Sequence, residues 1–274
     1  MTAGRLVVCA TPIGNLGDVS NRLRSSLEGA DLVYAEDTRR AAKLLSHLGV
    51  SVPVISLFVG NEIGRTQDIV DAVGSGSQVA LVSDAGMPTV SDPGAHAVRA
   101  VRDAGFRVEV IPGPSAVTTA VALSGFAGDR FVFEGFLPRK GKERATRLEA
   151  MASETRPVVL FASPNRLGDD LADLLAVCGP DREVAVTREL TKLHEESWVG
   201  TLAESLPRWS EETRGEVTLV LGPTDEPEPS IDEAIARARE LVESGESVSA
   251  AARHVSSETG VSRREVYEAL IDKS

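Results

Sequence analysis

Residues 82–94 read VSDAGMPTVSDPG, and they follow the apolar run SQVAL at residues 77–81. A short apolar run of this kind is typical of a buried β-strand. The thirteen residues after it contain two aspartates, two glycines and two prolines. Glycine lets a backbone approach a ligand closely, and proline holds a loop rigid. The stretch therefore predicts a strand whose carboxyl end opens into a rigid, acidic loop.

The same pattern, an apolar strand followed by a helix, repeats through the first part of the chain. Strands are predicted at RLVVCA, ADLVYA, VPVISLF, QVALVS and RVEVIP, and helices at residues 22–28, 39–48, 64–73 and 94–104. Alternating strands and helices favour a mainly parallel sheet, and continuous apolar strands fit a sheet covered on both faces. We therefore expect an α/β domain over residues 1–117.

Residues 118–224 have a different pattern. The β runs RFVFEGFL, PVVLFAS, REVAVTREL, ESWVGTL and EVTLVLGP outnumber the clear helices, which are predicted at residues 141–153 and 167–176. This composition indicates a mixed α/β domain with antiparallel strands. The linker LGPTDEPEPS then leads to amphipathic helices at residues 231–244, 247–259 and 262–271, with Ser247 and Ser262 as N-caps and Gly260 as a stop. Residues 230–274 are thus expected to be a small helical extension with helix-turn-helix spacing.

Composition limits the functions that the chain can have. The 274 residues carry a net charge of −12, so any contact with nucleic acid must rest on local basic patches or on a partner that brings its own basic proteins. Cys9 and Cys178 lie far apart, which fits a reducing compartment, and neither Cys nor His spacing suggests a metal site. The sequence has no signal-peptide pattern and no apolar run near the ~18 residues of a membrane span, so we expect a cytoplasmic protein.

Loops that follow the predicted strands carry the candidate ligand chemistry. They are TPIGNLGD at residues 11–18, EDTRR at 36–40, SDAGMP at 83–88 and PGPSA at 112–116. Ligand sites of open parallel sheets lie outside the carboxyl ends of the strands, so these loops are expected at one rim. Ser115 would start a helix whose N-terminus suits a carboxylate or phosphate. Taken singly, each loop also fits an ordinary turn or a set of helix-capping acids.

Seven motifs in a fixed order carry a resemblance to a known family. They are TPIGNLGD, AEDTRR, SDAGMPTVSDPG, PGPSA, FEGFLPRKGKER, SPNR and TRELTKLHEE, and the resemblance covers residues 6–223. In these motifs the chain resembles the tetrapyrrole methylase superfamily and, within it, the bacterial ribosomal RNA small subunit methyltransferase I family of 16S rRNA ribose 2′-O-methyltransferases. One position departs from the pattern, because Ala162 stands where that family usually has an acidic residue before Ser-Pro.

The resemblance implies two α/β domains of tetrapyrrole methylase type, a fold distinct from the Rossmann methyltransferases. It also implies S-adenosylmethionine (SAM) as the cofactor, folded into a cleft between the two domains, where nearby carboxylates suit its sulfonium cation. Transferred to this chain, the cofactor-binding residues are Pro12, Ile13, Gly14, Asp84, Ala85, Gly86, Met87, Pro88, Ser115, Ala116, Leu160, Val217 and Thr218, with residues 160–161 and 217–218 against the adenine.

The implied reaction is methyl transfer to the ribose 2′-hydroxyl of a cytidine in the decoding region of 16S rRNA, within the assembled 30S subunit. A side chain must accept the hydroxyl proton, and Glu36, Asp37 and Asp92 are the candidates. Arg39 would orient a carboxylate or bind a phosphate. The motifs do not assign the base, and Glu36 and Asp37 fit equally well as acids at a helix N-terminus.

Basic segments are expected to contact the RNA. We also expect a homodimer, and we expect neither a membrane nor a DNA partner. The RNA-binding candidates are Arg40, Lys43, Arg139, Lys140, Lys142, Arg144 and Arg166. Other substrates stay open within the superfamily, namely a porphyrin-like macrocycle or a modified histidine. A SAM-binding regulator that uses the terminal helices on DNA is the alternative from another class. We favour packing or rRNA docking for those helices.

Overall fold

The strands of the first half form a parallel sheet, as the sequence predicts. The computed structural model describes residues 4–126, 129–209, 213–224 and 230–271. In this part of the chain the first sheet consists of β1 (Arg5–Cys9), β2 (Leu32–Ala35), β3 (Val54–Ser56), β4 (Gln78–Val82) and β5 (Arg107–Ile111). The strand order is β3-β2-β4-β1-β5, and every neighbouring pair is parallel.

Helices cover both faces of this sheet. They are α1 (Asn21–Glu28), α2 (Thr38–Leu48), α3 (Glu62–Gly74) and α4 (Ala95–Asp103). Side chains alternate between the faces of a strand, so Val7 and Cys9 of β1 pack with α1 and α2, whereas Leu6 and Val8 pack with α3 and α4. Burial on both faces explains why these strands are continuously apolar.

A second sheet follows along the chain. The elements of this part of the chain are α5 (Ala116–Ser124), β6 (Val132–Phe136), α6 (Lys142–Ala152), β7 (Val158–Ala162), α7 (Leu167–Cys178), β8 (Glu183–Arg188), β9 (Glu196–Thr201), α8 (Leu202–Trp209) and β10 (Val217–Leu221). The order is β6-β7-β10-β8-β9 in the described residues; β6 and β7 are parallel, and the other pairs are antiparallel. The expected antiparallel character of this half is confirmed.

Helix α8 was not anticipated by the sequence analysis. Its sequence, LAESLPRW, contains Pro207, which weakens the helical signal, and it follows directly on β9. Leu202, Ser205 and Trp209 are nevertheless buried at helical spacing. The i, i+3, i+7 positions were the signal that could have revealed this helix.

Helix α5 links the two sheets. Val117 and Ala120 of α5 pack in one apolar cluster with Val159, Ala185 and Val220 of the second sheet. The chain separates into two compact units, Met1–Thr224 and Asp225–Ser274, so both sheets lie in the first unit. The expected domain boundary between residues 117 and 118 falls just inside α5 and stays a prediction, as does the boundary at 224.

The second unit is helical. Between residues 230 and 271 it contains α9 (Ile231–Glu243), α10 (Val248–Thr259) and α11 (Arg263–Ile271). Ser247 caps α10 and Gly260 ends it in a left-handed conformation, both as predicted. Small apolar residues, including Ala238 and Ala252, let the helices approach closely around Val255. The middle of the predicted linker, residues 225–229, lies outside the described residues.

No helix in the described ranges is both long enough and apolar enough to cross a bilayer.

Candidate active site

A cleft of about 420 Å³ lies between the carboxyl-end loops of the first sheet and the ends of β6, β7 and β10. Small-molecule sites typically measure about 300–1,000 Å³. The sequence-predicted residues that line the cleft are Ile13, Glu36, Arg40, Asp84, Ala85, Gly86, Met87, Asp92, Ser115, Ala116, Val217 and Thr218. The fold thus gathers the four strand-end loops at one rim, which is where parallel topology should place them.

Other predicted cofactor residues lie off this lining, namely Pro12, Gly14, Pro88 and Leu160. Leu160 is fully buried in the core on the opposite face of the second sheet, beside α6 and α7. Because strand side chains alternate, its neighbour Phe161 lines the cleft instead. Of the expected pair 160–161, Leu160 therefore does not face the cleft, and Phe161 is the residue that does.

Gly14 holds two loops together and does not face the cleft. A Cβ atom on Gly14 would lie 2.9 Å from Thr191 Oγ1 and 3.0 Å from the carbonyl oxygen of Leu190. Only a glycine permits that approach. Gly14 thus lets the loop after β1 pack directly against the loop after β8.

The acidic loop after β4 is tied to the loop after β1. The Thr11 N–H donates to the Gly86 carbonyl at 2.8 Å, and the Gly86 N–H donates to the Thr11 carbonyl at 3.1 Å. The Thr11 hydroxyl donates to the Ser83 carbonyl at 3.2 Å. Gly86 has φ +80°, a conformation that glycine adopts without strain. These bonds fix the backbone beside Asp84.

Further along, the same loop is strained. Thr89 and Ser91 have φ values of 75° and 62°, in the left-handed region. Such residues cost about 1–3 kcal/mol each and cluster at functional sites. Ser91 lines the cleft, and a Cβ on Gly135 of β6 would lie only 3.2 Å from its hydroxyl. The two sheets therefore approach closely at this point of the rim.

The carboxylate of Glu62 fixes the end of this loop. Its Oε1 accepts hydrogen bonds from the N–H groups of Gly94 and His96, each at 2.9 Å. Gly94 is the N-cap of α4 and has no side chain to cap the helix itself. Buried Glu62, from α3, supplies that cap and so positions the chain immediately after Asp92.

Loops of the first sheet bring three carboxylates to the cleft, those of Glu36, Asp84 and Asp92. Burial, and next the charge of Asp84, raises the pKa of Glu36. Burial, followed by the charge of Glu36, raises the pKa of Asp92 to about 7. Arg40 is the one basic side chain among the described lining residues, and its Nε lies 3.5 Å from Asp84 Oδ2. The site is therefore net negative and contains a carboxyl group that titrates near neutrality.

Asp37 and Arg39 bind each other next to this cluster. Asp37 Oδ1 accepts from the Arg39 backbone N–H at 2.8 Å, which caps α2, and Arg39 Nη2 donates to Asp37 Oδ2 at 2.8 Å. The Arg39 side chain, by its hydrogen bonds, holds the pKa of Asp37 well below the usual range. Neither residue lines the cleft. This geometry argues against the hypothesis that Asp37 is the base.

The N-terminus of α5 opens onto the cleft. Ser115 and Ala116 line the wall, and the Ser115 side chain makes no capping hydrogen bond. The first N–H groups of a helix lack intrahelical partners and carry the positive end of its dipole. This end of the cleft is consequently suited to an anionic group.

The predicted RNA-binding residues divide into exposed and internal side chains. Arg139, Lys140 and Lys142 are exposed, as is Lys43 on α2. Arg144 is only 6% exposed and binds Asp170 and Asp173 on α7, each at 2.8 Å. A buried, fully paired guanidinium is not available to a phosphate, so the assignment of Arg144 to RNA contact is corrected.

Arg166 is half-buried and also internally engaged. Its Nη2 donates to the carbonyl of Arg139 at 3.1 Å and lies 3.9 Å from Asp170. It stands at the end of the short 3₁₀ turn Pro164–Arg166. The structure therefore gives Arg166 a role in holding the loop that carries Arg139.

Several lining residues were missed by the sequence analysis. They are Val90, Ser91, Val117, Phe136, Ala162, Ser163, Pro164, Gly215 and Glu216. Six of them lie at ends of second-sheet strands: Phe136 ends β6, Ala162 ends β7 and precedes Ser163 and Pro164, and Gly215 and Glu216 precede β10. The carboxyl-end argument used for the first sheet could have found those at β6 and β7. Ala162, the departure from the family pattern, supplies no carboxylate here.

Comparison with known proteins identifies the family. The model of the tetrapyrrole (corrin/porphyrin) methylases matches residues 5–205. The chain belongs to the tetrapyrrole methylase family. The methylase is 43% identical to a ribosomal RNA small subunit methyltransferase I from Synechocystis sp., over 98% of both chains. It is 43% identical to the protein of that name from Mycobacterium bovis, over 99% of this chain and 96% of the relative.

Solved structures share the fold of the methylase. Uroporphyrin-III-C-methyltransferase from Thermus thermophilus superposes with a TM-score of 0.59 at 21% identity, over 80% of this chain and 94% of that one. Diphthine synthase superposes with a TM-score of 0.62 at 18% identity, over 80% of this chain and 89% of that one. The resemblance, the fold class and the enzyme class expected from the motifs, a methyltransferase, are thereby confirmed.

Proposed function

We propose that the methylase transfers a methyl group from SAM to the ribose 2′-hydroxyl of a cytidine in the decoding region of 16S rRNA, within the assembled 30S subunit. The similarity to ribosomal RNA small subunit methyltransferase I over 98% of the chain carries this proposal. A cytoplasmic location and a homodimer belong to the same proposal, because the resemblance of the seven motifs implies them.

The residues of the cleft fit SAM. Its carboxylate suits the N-terminus of α5 at Ser115, where N–H groups are not capped by a side chain. Its sulfonium suits a wall on which acidic residues outnumber Arg40. Its adenine suits the apolar surface of Phe161 and Val217. When bound, SAM supplies an electrophilic methyl group on sulfur.

Asp92 is our candidate for the proton acceptor. As the new oxygen–carbon bond forms and the carbon–sulfur bond breaks, the hydroxyl proton must pass to a base. Asp92 lines the cleft, and its pKa of about 7 lies near neutral pH, where a general base works best. Burial, and next the negative charge of Glu36, keeps the pKa of Asp92 high. Asp37, with its lowered pKa, is a weaker base outside the cleft.

RNA contact is assigned to the exposed cations beside the cleft. Phe136 lines the cleft, and Arg139, Lys140 and Lys142 follow it within a few residues and are exposed. Phosphate contacts of this kind provide affinity without reading sequence. An overall charge of −12 disfavours binding to naked RNA, so the ribosomal proteins of an assembled subunit are expected to contribute.

The decisive experiment supplies isotope-labelled SAM and the purified methylase to 30S subunits from a strain that lacks the enzyme. Mass spectrometry of the 16S rRNA should find one new 2′-O-methylcytidine in the decoding region. Naked 16S rRNA is the matched substrate control and should react much more slowly. Label that enters a macrocycle or a protein histidine, with none in rRNA, would replace this proposal with one of the other superfamily substrates.

A further inference from the structure

The end of β6 and the loop after it are held by arginine side chains. Strand β6 lies at the edge of its sheet and pairs only with β7 within the described residues. Arg147 donates to the carbonyls of Glu134 and Phe136, the latter at 3.2 Å. Arg144 donates to the Pro138 carbonyl at 3.0 Å. Together with Arg166, which donates to the Arg139 carbonyl, these residues form what we call the arginine clamp.

Each guanidinium of the arginine clamp is itself anchored. Arg144 is buried between Asp170 and Asp173 of α7. Arg147 pairs with Glu134 Oε2 at 2.8 Å. The planar guanidinium presents several donors in fixed directions, so one side chain can bind a carboxylate and a carbonyl together. The clamp thus connects the backbone of residues 134–139 to α6 and α7.

The clamped segment joins two functional surfaces. At one end Phe136 lines the cleft, and its ring lies 5.4 Å from that of Phe161. At the other end Arg139 and Lys140 extend into solvent. A flexible loop would lose conformational entropy on ordering against a substrate, whereas a preorganised loop does not.

We propose that Arg144, Arg147 and Arg166 are positioning residues, which preorganise the segment at residues 136–140 so that its exposed cations meet substrate phosphates at a fixed distance from the cleft. This proposal rests on the proposed function. The clamp residues do not contact phosphate themselves. The neighbouring Arg139, Lys140 and Lys142 make that contact. The sequence alone does not distinguish these three residues from the three arginines of the clamp, because all six are basic and all but Arg166 lie in one stretch.

The salt dependence of KM separates positioning from contact. A lost phosphate contact lowers the slope of log KM against log salt by about 0.7–0.9. Arg147→Lys and Arg166→Lys keep the charge but cannot make the forked hydrogen bonds. We expect each to raise KM for 30S subunits about fivefold, with kcat and SAM affinity within about twofold and an unchanged salt slope. The triple variant Arg139→Gln/Lys140→Gln/Lys142→Gln should flatten the slope.

A matched control and a second readout complete the test. Arg156→Lys also disrupts a close arginine–carboxylate pair, with Glu154, but away from the clamp, and should leave KM unchanged. Trypsin should cut the clamp variants faster than the wild type at Arg139, Lys140 or Lys142. Normal trypsin resistance in the lysine variants would overturn the clamp whatever the activity. A wild-type enzyme that methylates no rRNA would instead refute the proposed function. Clamp variants with an unchanged KM, or with the same flattened slope as the triple variant, would refute the positioning role.

Discussion

The two walls of the cleft differ in their chemistry. The wall from the first sheet is polar and acidic, with Glu36, Asp84 and Asp92 on loops that follow parallel strands. The wall from the second sheet is mainly apolar, with Phe136, Phe161 and Val217. Its one carboxylate among the described lining residues, Glu216, is paired with Lys192 at 3.0 Å. Burying a charged group is costly unless the group is paired and hydrogen-bonded, whereas burying an apolar group is favourable. We therefore propose that the first wall handles charge and protons and that the second provides shape.

The backbone supports this division. On the first wall, Thr11, Gly86 and Glu62 fix the acidic loop through hydrogen bonds between elements that are distant in sequence. On the second wall, edge strand β6 is fixed by side chains of α6 and of the turn before α7. Substitutions on the first wall should therefore change chemistry and pH dependence, and those on the second should change binding.

The largest expected effect is that of Asp92→Asn. We expect turnover to fall by about 100-fold or more, the contribution usual for a general base, with SAM affinity nearly unchanged. In the wild type, the base must be ionised, so kcat/KM should rise with pH up to about 7, the pKa of Asp92, and then level off. Single-turnover rates between pH 5.5 and 9 measure both effects.

Glu36→Gln is the matched control for this prediction. Removing the charge of Glu36 should lower the pKa of Asp92, so that the rising limb moves to lower pH while turnover persists. Full turnover in Asp92→Asn, with loss of activity in Glu36→Gln, would transfer the base role to Glu36. Proton transfer would then still be assigned to the wall from the first sheet. Unchanged activity in both variants would mean that neither Asp92 nor Glu36 accepts the proton.

A smaller effect is expected from Phe161→Ala on the second wall. Phe161 lines the cleft and packs edge-on against Phe133 at 5.1 Å. Loss of an aromatic face in a binding wall should weaken SAM about tenfold in calorimetry. The pH at which activity rises should not move, because no charge is changed. Phe161→Leu, which keeps apolar volume, should recover part of the affinity.

The opposite result would weaken the comparison between the walls. A shift of the pH profile in Phe161→Ala, with normal SAM affinity, would mean that this ring sets the electrostatics of Asp92 rather than the shape of the cleft.

The fold and the rim of the site were largely predictable from the sequence. Continuous apolar strands separated by helices allow few arrangements, and parallel strands bring their carboxyl-end loops together. The loop at residues 82–94 was therefore located from its own composition. Asp92 could be named as a candidate, but its raised pKa depends on burial and on Glu36, which only the three-dimensional arrangement provides.

The errors arose where direction, rather than residue type, decides the role. Leu160 and Phe161 are adjacent and apolar, and a shift of one residue exchanges the two faces of a strand. Arg139 and Arg144 belong to one basic stretch, yet the first is exposed and the second is buried against Asp170. The carboxylate partners of Arg144, Asp170 and Asp173, lie 26 and 29 residues away in sequence, so no local pattern reveals them.

The smallest expected effect is that of Asp37→Asn. Asparagine caps helices as well as aspartate does, so α2 should remain capped, and exposed pairs such as Asp37–Arg39 contribute little. We expect turnover within about twofold of wild type, since Asp37 lies outside the cleft lining. Asp37→Ala removes the cap and should lower Tm without changing the pH profile. A tenfold loss of turnover in Asp37→Asn, with normal Tm, would return the base role to Asp37. It would also extend the acidic wall beyond the cleft to the start of α2, where the sequence alone had equally allowed a cap or a catalyst.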